Sequence, residues 1–160
     1  MARLELRRMD RDIAGDISCG VQSIDELIKN AYYRVIYKQA IAYNVFYQSI
    51  LVGNYMLRFG FIEDEEDEYY VDNHSYPCME LAYIAIDKKF QNNGLGTNVL
   101  KLIIKQVKRI SDELPIRFFI LDAFASWENW YGKAGFREYP KKLDLRYPDT
   151  IPMRMDLIDA

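Results

Sequence analysis

Along this chain the spacing of apolar residues changes several times, and each change predicts an element. Weak alternation in LELRR (Leu4 to Arg8) predicts a first strand, after which Gly15 and Gly20 loosen the chain. In SIDELIKNAYYRVIYKQA the residues Ile24, Leu27, Ile28, Ala31, Val35 and Ile36 recur at helical spacing. One amphipathic helix is expected there, with Ser23 as its cap and Glu26 completing a capping box. AYNVFYQ and ILVGNYMLRFGFI are rich in β-branched and aromatic residues and meet near Gln48 and Ser49. They predict two antiparallel strands.

The acidic run in EDEEDEYYVDNHSYP (Glu63 to Pro77) interrupts this pattern and reads as a solvated loop, or as a lure for a cationic substrate. Next come a strand (Glu80 to Ile86), the turn QNNGLGTN (Gln91 to Asn98), a helix from Gly96 to near Ser111, and the strand RFFILDAF (Arg117 to Phe124). A strand, a crossover helix and a strand imply a parallel pair joined right-handedly. SWENWYGKAGF predicts a short helix capped by Ser126 and ended by Gly135. TIPMRMDLI is expected to close the sheet at an edge, where Pro152 is tolerable. The order β, α, β, β, β, α, β, α, β describes a mixed α/β sheet flanked by helices, in one domain over residues 1–160.

Composition narrows the classes. With 160 residues, 50% of them apolar, the chain suffices for one full core. A net charge of −3 gives no general attraction to nucleic acid, so an RNA partner would need a local basic patch. Cys19 and Cys78 lie far apart, with a single histidine in the chain, His74. Neither a metal site nor a disulfide framework is suggested. The charged start MARLELRRMDRD and the absence of an apolar run near the roughly 18 residues of a membrane span predict a soluble cytoplasmic protein.

The candidate chemistry lies in the glycine turn. A helix start leaves N–H groups unpaired and carries partial positive charge, and glycine lets backbone approach an anion. The turn therefore suits a phosphate. Thr97 and Asn98 follow Gly96 where a Walker loop needs Lys then Ser or Thr, and Val99 stands where the dinucleotide fingerprint needs a third glycine. Nucleotide triphosphatases and nicotinamide enzymes are disfavoured. Taken alone, the glycine pair also fits a tight turn with no ligand.

The span from Glu80 to Phe136 resembles the GNAT superfamily of acyl-CoA N-acyltransferases. Gln91-x-x-Gly94-x-Gly96 matches that family's pyrophosphate loop, LAYIAID the strand before it, and WYGKAGF (Trp130 to Phe136) its later Phe-Tyr-x-x-x-Gly-Phe signature. The resemblance implies a GNAT-like fold with acetyl-CoA as cosubstrate and no metal. It implies that Gln91, Asn92, Asn93, Gly94, Leu95, Gly96 and Thr97 hold the pyrophosphate. Ile84, Ala85 and Ile86 would pair their main chain with the pantetheine arm, where their strand and the one ending near Asp122 splay. Asn92 and Asn93 stand where many relatives carry Arg or Lys, which weakens the expected grip; Lys88, Lys89 and Lys101 could compensate.

Tyr131 occupies the family's tyrosine position, which implies protonation of the CoA sulfur; it could equally pack on the sheet. Glu80 lies where the histone-acetyltransferase branch places its glutamate, so it is the candidate base, with Asp122 a weaker substitute. The expected reaction is direct attack of a primary amine on acetyl-CoA in a ternary complex. The amine would belong to a small molecule, a peptide or a protein. The N-terminal third is also similar to the toxin-type GNAT branch, which acetylates aminoacyl-tRNA, through ISCGVQSIDELIKNAYYR and LVGNYMLRF; the acidic charge counts against tRNA. A non-catalytic CoA-binding module is the third reading. Exposed Tyr69, Tyr70 and Trp127 would suit a homodimer.

Overall fold

The computed structural model describes residues 3–10, 16–64, 75–140 and 149–158. Among the described residues the strands are β1 (Leu4–Arg8), β2 (Ile41–Tyr47), β3 (Ile50–Glu63), β4 (Ser75–Ile86), β5 (Phe118–Phe124), β6 (Arg137–Glu138) and β7 (Thr150–Asp156). They form one mixed sheet in the order β1-β2-β3-β4-β5-β7-β6. The helices α1 (Gln22–Lys29), α2 (Ala31–Ile36), α3 (Leu95–Glu113) and α4 (Glu128–Lys133) flank it. The pairing of β4 with β5 is parallel, Cys78–Glu80 opposite Phe118–Ile120, as a crossover through α3 requires. Most of the acidic run, together with Tyr69, Tyr70 and His74, falls outside the described residues.

Two compact units make up the chain, the first being Met1–Arg58 with Leu81–Ile103. Its hairpin of β2 and β3 turns at Gln48 and Ser49, both at positive φ (51° and 66°), which matches the right-handed twist of the strands. Val45 pairs with Gly53 but Phe46 with Leu51, so Val52 is bulged out of register. Its carbonyl instead accepts the N–H of Asp87 at 2.8 Å. Beside the bulge, a Cβ on Gly53 would stand 2.6 Å from the Ala85 carbonyl oxygen. Because that neighbour is backbone, Gly53→Ala is expected to destabilise the fold by about 1–3 kcal/mol, measured as a lower midpoint in urea unfolding. An unchanged midpoint would mean that β3 and β4 can move apart there.

The single helix expected from Ser23 onward is two. The chain leaves helical geometry at Asn30 (φ −103°, ψ 2°), and α2 begins at Ala31. Ile24, Ile28 and Ala31 are buried as the periodicity requires, while Ile36 is exposed. Ser23 lies inside α1, whose N-cap is Val21 with no side-chain cap bond, so the expected capping box is not formed.

The second unit is Phe59–Glu80 with Ile104–Ala160. Ile62, Cys78, Phe118, Ile120 and Tyr139 pack together, with Tyr76 against them. Arg117 grips Asp156 with two 3.0 Å hydrogen bonds. The final strand is not an edge: β7 lies between β5 and the two-residue β6, and Pro152 sits opposite Asp122 with its carbonyl accepting from the Tyr139 N–H at 3.2 Å. Ahead of α4, Ala125–Trp127 form a 3-10 turn, so Ser126 does not cap; Trp127 takes that position without a side-chain bond. Gly135 ends the helix at φ 110°, as expected.

Candidate active site

Directly after β4 the chain makes a 3-10 turn (Lys88–Phe90), then the exposed stretch Gln91–Gly94, then α3. Gly94 has φ +82°, and a Cβ built on it would meet nothing within 4 Å. Glycine is favoured here by backbone conformation, and the space beside it is open. Asn92 is also at positive φ (67°), which Asn tolerates better than most residues. The helix begins at Leu95, one residue earlier than expected, and the Leu95 N–H is already taken by the Asn93 Oδ1 at 3.2 Å. Asn93 therefore satisfies the first N–H of the helix in a two-residue side-chain turn, a role that Lys or Arg could not fill. Gly96 and Thr97 lie in the first turn of the helix. Lys88, Lys89 and Lys101 are all exposed.

Gln91 is tied down. Its side-chain amide donates at 2.8 Å to the Ile86 carbonyl and at 2.8 Å to the Cys19 carbonyl. These two bonds tie the turn to the end of β4 and to the segment before α1. Ile84 and Ala85 are buried and Ile86 is half-buried. Asp87 was not anticipated from the sequence. It is 8% exposed and accepts hydrogen bonds from the backbone N–H groups of Ser18 (3.2 Å) and Lys89 (2.9 Å). An aspartate that follows an apolar strand and opens a turn is the signal that could have found it.

In the second unit, Tyr131 is buried on α4, its ring edge-on to Trp130 (4.9 Å) and to Phe136 (5.9 Å). Burial pushes its hydroxyl pKa well above the ordinary tyrosine range, so it stays a proton-bearing group at neutral and moderately alkaline pH. Glu80 is half-buried on β4, in register with Ile120. Tyr139 is a second residue the sequence did not flag. Its pKa is raised by burial first and then by the negative charge of Asp122 and, more weakly, of Glu80, against an opposing effect of Arg154, so both candidate carboxylates act on one hydroxyl. Trp127 is not the exposed aromatic expected, being half-buried and edge-on to Phe124 and Trp130. Burial raises both cysteine thiols to about 11, which leaves them protonated and unreactive at neutral pH. Among the described residues no group of three or more His, Cys, Asp or Glu could hold a metal ion, and no helix is long and apolar enough to cross a membrane.

None of the curated proteins matches this chain significantly. Solved structures do resemble it. A bacterial toxin superposes with a TM-score of 0.84 at 18% identity, covering 99% of this chain and 93% of the toxin. AtaTR bound with AcCoA gives 0.75 at 16% identity, over 94% and 93% of the two chains. AtaT complexed with acetyl-methionyl-tRNAfMet gives 0.76 at 16% identity, over 94% of each. Such low identities establish the fold, which is the mixed α/β architecture expected. The sequence profile of the acetyltransferase (GNAT) family matches residues 40–136, a span that includes β2 to α4, the glycine turn and Tyr131. With well over half of its length matched, this chain belongs to the GNAT acetyltransferase family.

Proposed function

We propose that this protein is an acetyl-CoA-dependent N-acetyltransferase that acts on a primary amine by direct attack in a ternary complex. The family match carries the reading, because it spans the turn and the tyrosine together. The turn fits the cosubstrate: it is exposed, open beside Gly94 and backed by a helix start, with lysines on either side of it in sequence. When bound, acetyl-CoA supplies a thioester activated toward amines. Backbone from Gln91 to Thr97 holds its pyrophosphate, and the main chain of Ile84 to Ile86 pairs with its pantetheine arm. Gln91 acts through the main chain it pins. Tyr131, kept neutral by burial, donates a hydrogen bond and then its proton to the departing sulfur. Glu80, directly or through water, accepts the proton of the amine. In this reading the enzyme works in the cytoplasm.

The test is calorimetric titration with acetyl-CoA, followed by thiol release on adding polyamines, lysine peptides or charged tRNA. Binding with release on one acceptor would identify the substrate class. Binding without release on any of them would favour a CoA-binding module. No binding at all would sink the enzyme reading.

A second reading, the α-amino group of aminoacyl-tRNA as acceptor, is favoured by the likeness to AtaT with acetyl-methionyl-tRNAfMet over nearly the whole chain. The net charge of −3 opposes it, so a local basic face would have to outweigh the acidic average. The two acceptors demand different amounts of base. An α-amino group near pKa 8 is partly neutral at physiological pH, whereas a lysine-type amine near 10.4 is almost fully charged. Glu80→Gln is therefore expected to slow a lysine-type acceptor about 100-fold or more. An aminoacyl-tRNA would be slowed far less. Rates unaltered with every acceptor would exclude Glu80 as the base.

A further inference from the structure

Residues Ser18 and Cys19, just before α1, have all four main-chain polar groups engaged. The Ser18 N–H donates to Asp87 at 3.2 Å, and the Ser18 carbonyl accepts from the Lys88 N–H at 2.9 Å. The Cys19 N–H donates to Asp25 at 2.9 Å, and the Cys19 carbonyl accepts from the Gln91 side chain at 2.8 Å. The Ser18 hydroxyl adds a 2.8 Å bond to Asp25. Asp25 belongs to α1, while Asp87, Lys88 and Gln91 all lie between β4 and Gly94. Two carboxylates thus grip one dipeptide, one from α1 and one from the turn after β4. Burial raises the Asp25 pKa but is outweighed by the Cys19 N–H and the Ser18 hydroxyl, which hold it below the ordinary range, so it grips as a carboxylate. The Asp87 N–H, bonded to Val52, extends the same network into the bulge of β3.

We propose that Asp25 and Asp87 are positioning residues of a clamp through Ser18 and Cys19 that makes the start of α1 set how firmly the glycine turn holds a phosphate. The physical reason is that the turn has little packing of its own: Gln91 to Gly94 are exposed. Charge-assisted bonds from a carboxylate to backbone N–H groups are about twice as strong as neutral ones, so these two side chains fix Ser18 and Cys19, whose carbonyls hold the Lys88 N–H and the Gln91 side chain at the entry to the turn. The phosphate ligand rests on the acetyl-CoA reading above; the clamp itself does not.

The test uses the full chain and two readouts. Asp25 lies outside the turn, so Asp25→Asn is expected to weaken acetyl-CoA binding about tenfold only if the clamp transmits its loss. The Asp25→Asn/Asp87→Asn double variant is expected to bind no more weakly than Asp87→Asn alone, since either change opens the same clamp. With a reacting amine, the KM for acetyl-CoA rises while kcat at saturation holds within about twofold, a split that general loosening of the fold would not produce. Hydrogen exchange without ligand should quicken at the Lys88 and Lys89 amides in Asp25→Asn. Should that variant fail to fold, Ser18→Ala, which removes only the hydroxyl bond to Asp25, gives a smaller change in the same direction. Unchanged affinity in Asp25→Asn, or in Ser18→Ala where it stands in for it, or strictly additive losses in the double, would overturn the clamp. If the wild-type chain binds no acetyl-CoA, the enzyme reading fails and exchange alone decides: faster exchange at Lys88 and Lys89 upholds the clamp, and unchanged exchange overturns it.

Discussion

Gly94→Asp is expected to abolish acetyl-CoA binding while leaving the protein folded. Two effects add. At φ +82° any side chain is strained, although Asp is among the residues that bear this region best, at a cost of about 1 kcal/mol. The larger effect is electrostatic. Among the described residues, apart from its chain neighbours, no atom lies within 4 Å of the new Cβ, so the carboxylate has room to occupy the open space where the pyrophosphate would approach. Two unit charges 4 Å apart at a partly solvated surface repel by about 4 kcal/mol, close to three decades of affinity. Gly94→Ala separates the contributions, because it carries the strain without the charge and should lose about tenfold or less. Calorimetric titration reads both variants, with a thermal melt to establish folding. Unchanged affinity in Gly94→Asp would refute the assignment of the loop.

Tyr131→Phe is expected to lower turnover by about 100-fold or more, with acetyl-CoA affinity retained. The substitution keeps the ring, and with it the edge-on contacts to Trp130 and Phe136, so stability should change by less than about 1.5 kcal/mol. What disappears is the donor to the sulfur. The burial-raised pKa fixes the sign of the pH dependence: the protonated form is the working one, and burial extends its range upward. Loss of activity near pH 10, the ordinary tyrosine value, would then come from some other group. Steady-state rates of the two proteins across pH make the comparison, and full activity in Tyr131→Phe would return the residue to a packing role.

Local chemistry explains what could be read in advance. The β2 and β3 hairpin was legible because two strand-like runs flank a two-residue turn, and that turn has the left-handed geometry such hairpins prefer. The β4, glycine turn, α3 and β5 unit was legible because the apolar period changes across it at a glycine pair. The helix ends were read less well. Ser23 and Ser126 are good capping residues by type, but a cap also needs the chain to enter from the right direction. At α1 the entry is governed by Asp25, which draws back Ser18 and Cys19, so Val21 takes the cap position. At α4 a 3-10 turn precedes the helix and carries Ser126 past the cap.

The sequence by itself determined the mixed α/β class, most of the element order, the glycine turn and the family to which turn and tyrosine point together. These depend on period, turn chemistry and short motifs, which are written within a few consecutive residues. Tertiary structure alone decided which side chains the turn leans on. The partners of Asp87 and Gln91 at Ser18 and Cys19 lie about 70 residues away along the chain, and no local pattern records a hydrogen bond across that separation. It alone placed β6 beyond β7, because a two-residue strand carries no readable period and forms only where a neighbour offers it an edge. It alone brought Glu80 and Asp122 within reach of Tyr139, since proximity between side chains of different strands is set by register, which emerges only when the whole sheet is paired.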